Sequence, residues 1–338
     1  MRLLISWILL IFCSSVMYGA DLQQLINDAI RNKQRELKLV PAIYRLSETL
    51  EIKRAKNLTI DGTGSTILFT HPKMYGMHLI KNVNLALKGF TIDFETLPFT
   101  QGTIVKTGKE YITIRLHKGY PVPDMKSYRL KFAVHAFDGK TREWKARGHN
   151  SMAKSFKIIA PGEIRIKLKP HAGYLTDSAK PVLKPGDFIV VNLRATNGIS
   201  VIDCDNFTMD GVTIHTFAGI NILGRGGNGP HTFKYVRIVP GPKPEGANQE
   251  RLISSCADGI NYSGLRGQLI VENCDFSRMA DDSINFYGVS SKVLKVIDDK
   301  TFVASVFGRG NEYLKLNDPL AFYSATDLAP VGKAKITS

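Results

Sequence analysis

Cysteine is scarce in this sequence: the 338 residues include four, and one of these, Cys13, lies in an apolar stretch near the N-terminus. The other three, Cys204, Cys256 and Cys274, are too few and too odd in number for a disulfide framework. Their apolar, strand-like neighbours favour buried thiols instead. The sequence also contains no Cys-x-x-Cys or His-Glu-x-x-His spacing, so we expect no zinc site.

Long apolar runs are missing too, apart from one at the N-terminus. Residues 3–12 are mostly apolar, with a basic residue before them and small residues after them. This pattern predicts a signal peptide over residues 1–20, because the run is shorter than the ~20 apolar residues that span a bilayer. The bulky residues before Cys13 argue against a lipoprotein. We therefore expect a secreted or periplasmic protein without stable membrane insertion.

Acidic residues are in the minority: 30 aspartates and glutamates stand against 45 lysines and arginines, which gives a net charge of +15. Such a charge invites nucleic acid or an acidic polysaccharide as a partner. The basic residues are spread along the chain, and an exported protein rarely meets DNA, so we expect no nucleic-acid partner. An acidic polysaccharide stays open as a substrate, and the sequence leaves the oligomeric state open.

Helical periodicity is confined to one segment. After Asp21, a candidate N-cap, apolar residues recur at helical spacing and predict an amphipathic helix to about Lys38. Beyond it, short alternating strands with corners recur about every 20–27 residues. Examples are NLTIDGTGSTILF from Asn57, NLALKGFTIDF from Asn84 and NFTMDGVTIHTF from Asn206. The recurrence predicts an all-β fold, a right-handed parallel β-helix whose stacked coils share one core and whose first coil is capped by the helix.

The repeat is interrupted between about residues 100 and 195. The stretches GTIVKTGKEYITIRL and GEIRIKLKP are typical of antiparallel hairpins and predict an inserted small β-barrel or β-sandwich. We therefore divide the mature chain into a capping helix with the first coils (21–99), the inserted barrel (100–195) and further coils (196–290). Hairpin-like strands return over 291–338 without a capping pattern. We expect an incomplete second β insertion there, and a chain truncated at its C-terminus.

Three aspartates are prominent in the later coils. Asp258 lies in CADGINYSG, and Asp281 and Asp282 lie side by side in MADDSINFYG, about one coil further on. We expect Asp258 to lie beneath Asp281, and the adjacent pair to face solvent together at a corner. Glycoside hydrolysis uses one protonated and one ionised carboxyl group, and mutual repulsion of clustered acids separates these two states. Solvated Asp-Asp and Asp-Gly turns, or a calcium site, are the alternatives that the pattern leaves open.

The block SSCADGINYSGLRGQLIVENCDFSRMADDSINFYG, residues 254–288, resembles glycoside hydrolase family 110, the exo-acting α-1,3-galactosidases. It is more distantly similar to the polygalacturonases, another β-helix family. The resemblance extends over most of the mature chain, including the inserted barrel after LPFTQGTIV and the stretch VLKVIDDKTFVA after the acids. It implies inverting hydrolysis of a terminal α-linked galactose without a metal or a cofactor. It also implies that Asp281 is the general acid and that Asp258 and Asp282 hold the attacking water.

Five further residues are candidates for contacts with a glycan substrate. Asn261 and Asn285 follow their acid motifs at equal offsets, which predicts either contacts with sugar hydroxyls or an asparagine ladder between coils. Tyr287 offers a ring for stacking on a sugar, at a position where the family pattern has a histidine. His231 lies in a coil segment before the acids, where it is either a sugar contact or a histidine satisfied within a ladder or loop. Arg225 lies at the base of the loop GRGGNGP, from which it could contact the substrate.

Two other functions remain as alternatives at this level. The net charge favours a polygalacturonase-like hydrolase or a lyase that acts on an acidic polysaccharide. A non-catalytic β-helix that binds glycans is the other. Neutralising all three aspartates would leave binding by such a protein unchanged.

Overall fold

The computed structural model describes residues 16–108, 110–122, 132–145, 151–168, 183–288, 290–306 and 314–337. Within these residues one α-helix, α1 (Gly19–Arg31), precedes a long series of β-strands. No helix among them is long and apolar enough to cross a membrane. Residues 1–15 of the predicted signal peptide lie outside the described part of the chain, whereas its last five residues, 16–20, form strand β1 (Val16–Tyr18) and the start of α1.

Most strands form three parallel sheets. Sheet A consists of β1 (Val16–Tyr18), β3 (Ile43–Leu46), β6 (Thr66–Phe69), β9 (Thr91–Phe94), β18 (Thr213–Ile214), β21 (Arg237–Ile238) and β24 (Asp275–Phe276). Sheet B consists of β2 (Glu36–Lys38), β5 (Lys56–Asp61), β8 (Val83–Lys88), β17 (Thr208–Asp210), β20 (His231–Lys234) and β23 (Leu269–Glu272). Sheet C consists of β4 (Leu50–Lys53), β7 (Met77–Ile80), β16 (Ile199–Ile202), β19 (Ile222–Arg225), β22 (Ile260–Ser263) and β25 (Ile284–Tyr287). Each coil passes from sheet C to sheet B to sheet A, so the predicted parallel β-helix is confirmed.

The core of the β-helix is built by residues that alternate along its strands. In sheet B, Leu58 pairs with Leu85 of the next coil, and Ile60 pairs with Leu87, and all four are buried. Neighbouring residues of a strand point to opposite faces, so the apolar alternation decides which side chains enter the core. Burying one such aliphatic side chain contributes ~1.5–3 kcal/mol, and stacking lets successive coils share that gain.

Helix α1 covers the first coils, as the sequence predicts. Leu22, Ile26 and Ala29, at helical spacing, are buried against the core. The Gln23 amide donates to the backbone oxygen of Glu51 and accepts from its nitrogen, both at 2.8 Å. The helix therefore satisfies part of the free edge of β4 as well as covering the apolar end of the coils.

The helix is shorter than predicted. It ends at Arg31 rather than at about Lys38, and Lys33 follows with a positive φ of 52°. Strand β2 then pairs in parallel with β5. Pairing with a neighbouring coil outweighs the local helical preference of these residues.

Asparagines occupy the start of sheet B in three successive coils. Asn84 Nδ2 donates to Asn57 Oδ1 at 2.6 Å, and Asn206 Nδ2 donates to Asn84 Oδ1 at 2.9 Å. Asn57, Asn84 and Asn206 have φ values of 53°, 53° and 55°. Asparagine tolerates this left-handed conformation better than most residues. The asparagine that opens these repeats is therefore a corner residue and one step of a hydrogen-bonded ladder.

A second asparagine lies buried at the same corner and bonds the backbone. Asn82 is fully buried. Its Nδ2 donates to the oxygen of Ile52 at 2.9 Å, and its Oδ1 accepts from the nitrogen of Ala55 at 2.8 Å. The side chain thus satisfies backbone groups where the preceding coil turns from sheet C to sheet B.

An antiparallel barrel interrupts the coils between β9 and β16. Its strands close in the order β10–β11–β14–β13–β12–β15. They are β10 (Phe99–Thr107), β11 (Tyr111–Leu116), β12 (Phe132–Phe137), β13 (Ser151–Ala160), β14 (Glu163–Leu168) and β15 (Phe188–Leu193). Apolar residues such as Ile112, Ile166 and Val191 fill it as a separate core. The predicted insertion is a closed barrel rather than an open sandwich.

The barrel leaves and rejoins the β-helix at the corner between sheets A and C. The same corner carries a long connection between β21 and β22. Phe99 of the barrel and Leu252 of this connection belong to one buried apolar cluster. The Tyr120 hydroxyl donates to the oxygen of Gln249 at 2.9 Å. Barrel and connection therefore pack together at one corner of the β-helix.

Two hairpins follow the coils, β26 (Ser291–Val296) with β27 (Phe302–Val306) and β28 (Pro319–Tyr323) with β29 (Pro330–Lys335). Arg266, in the corner before β23, forms two bonds with Asp318, from Nε to Oδ1 at 3.0 Å and from Nη2 to Oδ2 at 2.7 Å. This ion pair connects the second hairpin to the β-helix.

Candidate functional site

The three predicted acids lie at the corner between sheets A and C. Asp281 and Asp282 occupy the irregular segment between β24 and β25, and Asp258 precedes β22 in the neighbouring coil. The strand register pairs Ile260 with Ile284. This register sets Asp258 beside Asp282, one position away from the predicted neighbour Asp281. The spacing in the sequence could not give this detail, because coil length varies: the coil between Ile199 and Ile222 has 23 residues, and the coil between Ile260 and Ile284 has 24.

Asp258 is the most buried of the three, with 6% of its surface exposed. Burial raises the pKa of its carboxyl group, and the charges of Asp281 and Asp282 raise it further. A hydrogen bond from Asn261 and the charge of Arg194 act in the opposite direction. Asp281 and Asp282 are therefore close enough to Asp258 to act on its carboxyl group electrostatically.

Arg194 joins the acids from the barrel. It directly follows β15, and its Nη2 forms an ion pair with Oδ2 of Asp281, with the two side chains 27% and 28% exposed. Arg194 was not among the residues predicted from the sequence. No local motif distinguishes Arg194 from other basic residues, and only the return of the barrel to the corner brings it to Asp281.

Asn261 and Asn285 contact the acids of their own coils. Asn261 Nδ2 donates to Asp258 Oδ2 at 2.7 Å, and Asn285 Nδ2 donates to Asp282 Oδ2 at 3.0 Å. The two asparagines are paired in register on β22 and β25. Their equal offset in the sequence thus reflects the same asparagine–aspartate contact in two successive coils.

Arg225 and Tyr287 lie beside these asparagines on sheet C. The register runs from Arg225 through Ser263 to Tyr287, and the Arg225 guanidinium lies 5.8 Å from the centre of the Tyr287 ring. The Tyr287 side chain is exposed. Four of the five predicted contact residues therefore lie on the strands next to the acids.

His231 does not join them. It is fully buried at the start of β20, with Nδ1 3.2 Å from the Tyr262 hydroxyl and Nε2 2.9 Å from the oxygen of Cys204. Burial lowers its pKa. The expectation that His231 contacts the sugar is therefore corrected. Alternate residues of a strand share a face, and His231, like Phe233, points into the core.

The barrel touches both segments that carry acids. Arg278, in the segment before Asp281, donates from Nη1 to the oxygen of Arg142 at 3.0 Å. Asn192 of β15 donates from Nδ2 to the oxygen of Cys256 at 3.1 Å. One side of the corner is therefore a wall that the barrel supplies.

A buried ion pair anchors the connection that leads to Asp258. Arg251 donates from Nη1 and Nη2 to Oδ1 and Oδ2 of Asp93 on β9, both at 2.8 Å. The side chains of Arg251 and Asp93 are 5% and 11% exposed. This bidentate pair ties the connection to the first coils.

Among the residues that the structure describes, no group of three or more His, Cys, Asp or Glu side chains is arranged to hold a metal ion. The site instead brings together carboxyl groups that can take part in proton transfer. One buried carboxyl group, Asp258, lies near two more exposed ones, Asp281 and Asp282. Such a set can donate a proton at one position and accept a proton at another.

Comparison with known proteins bears on this chemistry. No family model matches the chain. It is 27% identical over 303 residues to an α-1,3-galactosidase B of Phocaeicola vulgatus, an alignment that covers 84% of the chain. It is 25% identical over 305 residues to an α-1,3-galactosidase A of Bacteroides fragilis, which covers 85% of it. The chain resembles the α-1,3-galactosidases. This agrees with the resemblance carried by the aspartate motifs.

The similarity has a defined extent. The chain spans about half the length of the curated relatives that it matches, 48% of the protein from Phocaeicola vulgatus and 47% of that from Bacteroides fragilis. A third relative, an α-1,3-galactosidase B of Akkermansia muciniphila, is 23% identical over 295 residues, which cover 83% of this chain and 36% of that protein.

Proposed function

We propose that this protein is an exported glycoside hydrolase that removes terminal α-1,3-linked galactose from glycans with inversion of configuration. The observation that carries the proposal is the strand register that sets Asp258 beside Asp282, with Asp281 next to it, at one corner of a chain that resembles α-1,3-galactosidases. Inverting hydrolysis needs two separate carboxyl functions with room for a water molecule between them, and acids on neighbouring coils can provide them.

In the proposed reaction, Asp281 gives a proton to the glycosidic oxygen as this oxygen leaves the anomeric carbon. Asp258 and Asp282 hold a water molecule that attacks the anomeric carbon from the opposite face. Asp258 accepts a proton from that water, which balances the proton lost by Asp281. Burial raises the pKa of Asp258, which makes its carboxylate a stronger base toward water.

The proposal is tested by incubating the purified protein with an α-1,3-linked galactose disaccharide. Free galactose should appear, and NMR of the fresh product should show the β anomer first, because inversion changes the configuration. Asp281→Asn should lower the rate by ~10²–10⁴-fold. The matched control is Asp275→Asn, which removes a carboxylate from an exposed ion pair with Arg237 in the same coil and should keep the wild-type rate.

Two outcomes contradict parts of this proposal. A loss of less than about tenfold in Asp281→Asn would exclude Asp281 as the general acid. The α anomer as the first product would exclude inversion.

An acidic polysaccharide is the second candidate substrate, favoured by the net charge of +15. Incubation with polygalacturonate separates the cases. New reducing ends would indicate a polygalacturonase-like hydrolase, and an unsaturated product that absorbs in the ultraviolet would indicate a lyase. Glycan binding that survives neutralisation of all three aspartates, without hydrolysis of either substrate, would indicate a non-catalytic β-helix.

Export is proposed from the apolar run at residues 3–12. Expression in a Gram-negative host and fractionation should recover the protein outside the cytoplasm, and sequencing of its N-terminus should show that residues 1–20 are absent. Recovery of the intact N-terminus from the cytoplasm would contradict the predicted signal peptide.

A further inference from the structure

A chain of three polar side chains leads from the surface of sheet C to the buried carboxyl group of Asp258. Arg225 Nη2 donates to Asn261 Oδ1 at 2.9 Å, and Asn261 Nδ2 donates to Asp258 Oδ2 at 2.7 Å. Asn261 and Asp258 are both buried. The carboxyl group is therefore held by an amide that is itself held by a guanidinium.

The guanidinium decides which end of the Asn261 amide meets the carboxyl group. A guanidinium can only donate hydrogen bonds, and an ionised carboxylate can only accept them. With Oδ1 toward Arg225 and Nδ2 toward Asp258, both neighbours are satisfied. The reversed amide would bring two donors together at Arg225 and two acceptors together at Asp258, in a site that water reaches poorly.

Arg225 is itself held by backbone contacts on sheet C. Its Nη1 donates to the oxygen of Gly224 at 2.6 Å and to the backbone oxygen of Asn261 at 3.1 Å. Its guanidinium also lies 5.8 Å from the centre of the Tyr287 ring, within range of a cation–π contact. These contacts hold the charge at one place between β19 and β22.

We propose that Arg225 is a positioning residue, which acts through the Asn261 amide to hold the Asp258 carboxyl group in place and in its ionised form. The role of Asp258 in catalysis rests on the proposed function, whereas the chain of contacts does not. The inference replaces the expectation from sequence that Arg225 and Asn261 contact the sugar directly.

The charged groups that face Asp258 or its amide come from three elements: Asp281 and Asp282 from the corner before β25, Arg194 from the end of the barrel, and Arg225 from β19. Burial and the two aspartates raise the pKa of Asp258, and the bond from Asn261 lowers it. A hydrogen bond donated to a carboxylate favours the ionised form. Without Arg225 the amide is free to reverse, so the pKa of Asp258 should rise. As the pH is lowered, the Asp258 carboxylate should then be protonated, and stop acting as a base, at a higher pH than in the wild type.

The first experiment compares kcat/KM against pH for the wild type and Arg225→Met. The acidic limb should move to higher pH in the variant. At the pH where the wild type has half its maximal rate, the variant should be slower by about threefold or more, with KM unchanged on the plateau. Asn261→Leu should move the limb in the same direction. The double variant should move it no further, because both changes break the same chain of contacts.

Arg266→Met is the matched control. It removes a guanidinium from a bidentate bond to Asp318, away from the acids, and should leave the acidic limb where it is. Arg225→Ala replaces Arg225→Met if the latter does not give the wild-type circular dichroism spectrum.

A second readout does not need activity. The folded-state pKa of Asp258 is raised, so Asp258→Asn should have a higher Tm than the wild type at neutral pH and the same Tm at acidic pH. In the Arg225→Met background this difference in Tm should be larger and should reach its plateau at a higher pH. If the wild type releases no galactose, the proposed function fails while this measurement still tests the positioning role.

Three results would overturn the inference. The first is a raised KM with an unmoved acidic limb, which would make Arg225 a direct sugar contact. The second is a double variant whose effects on the limb are additive. The third is a Tm difference that is the same with and without Arg225.

Discussion

Asp258 and Asp281 carry the same carboxyl group in different surroundings. Asp258 is buried and accepts a hydrogen bond from the neutral amide of Asn261. Asp281 is partly exposed and forms an ion pair with Arg194. Burial disfavours a charged carboxylate, whereas a neighbouring guanidinium compensates it. The two surroundings are what give two identical side chains different chemical properties.

At this scale, we predict that Asp258→Asn stabilises the fold at neutral pH. The folded-state pKa of Asp258 is raised, so the neutral form is favoured by folding. The stability it contributes is present below the unfolded-state pKa and is lost as pH rises through the folded-state pKa. Asparagine keeps an acceptor for Asn261 without the buried charge. Thermal unfolding at pH 7 should show a higher Tm for the variant, and near pH 3 the two proteins should have the same Tm.

Asp275→Asn serves as the control for this prediction. Asp275 forms an exposed ion pair at 3.5 Å, so its replacement removes no buried charge and should give no stabilisation at pH 7. A lower Tm for Asp258→Asn than for the wild type at pH 7 would show that the carboxylate is stabilised by its surroundings.

Arg194 gives the second prediction at the residue scale. Arg194→Met should lower kcat on an α-1,3-galactoside by ~10-fold or more and change KM less, because the guanidinium no longer stabilises the carboxylate that Asp281 becomes when it gives up its proton. Arg115→Met, which removes an exposed ion pair with Glu163 on the barrel, should leave kcat unchanged. Steady-state kinetics would refute the role of Arg194 if KM rose and kcat stayed at the wild-type value.

At the scale of elements, two asparagines two positions apart support the coils in different ways. Asn82 is buried and bonds the backbone of the preceding coil at Ile52 and Ala55. Asn84 is exposed and bonds the side chains of Asn57 and Asn206. Water can replace the second set of bonds and not the first.

We therefore expect Asn82→Leu, a change of little volume, to lower the free energy of unfolding by about 2–4 kcal/mol, since it leaves the buried N–H of Ala55 without its acceptor and removes the bond to the oxygen of Ile52. Asn84→Gly should lower it by less than about 1 kcal/mol, because glycine keeps the positive φ and water replaces the ladder bonds. Urea unfolding of the two variants measures both values. Equal losses would mean that the exposed ladder stabilises the coils as much as the buried amide.

At the scale of the whole molecule, the site is assembled from parts that are distant in sequence. The barrel supplies Arg194, and the coils supply the aspartates. Arg251 and Asp93 connect the stretch before Asp258 to the first coils through a buried bidentate pair. A change in this pair should therefore affect both the fold and the site.

Arg251→Met should lower the free energy of unfolding by about 3–5 kcal/mol, because it leaves the carboxylate of Asp93 buried without its partner. The double variant Asp93→Leu with Arg251→Met should recover much of this loss, since no buried charge remains. Denaturant unfolding of the three proteins gives the comparison. A double variant as unstable as Arg251→Met would show that packing around Arg251, and not the charge of Asp93, accounts for the loss.

Particular residues show which features of the structure could be predicted from the sequence. The recurring asparagines and apolar alternation predicted the stacked coils, because both are local consequences of strand and corner geometry. The end of α1 was mispredicted, since β2 pairs with a strand of the next coil. His231 was expected to contact a sugar because its ring is polar, although its alternation with Phe233, two positions further on, places it on the inward face of β20.

The sequence by itself determined that the chain forms stacked coils with an inserted antiparallel unit, and that aspartates recur about one coil apart. Periodicity and corner residues act over a few positions, so they can be recognised without the fold. Only the tertiary structure decided that Asp258 lies beside Asp282, that Arg194 reaches Asp281 from the barrel, and that Arg225 orients the amide of Asn261. These contacts depend on strand register, barrel closure and burial, which arise when distant segments pack together.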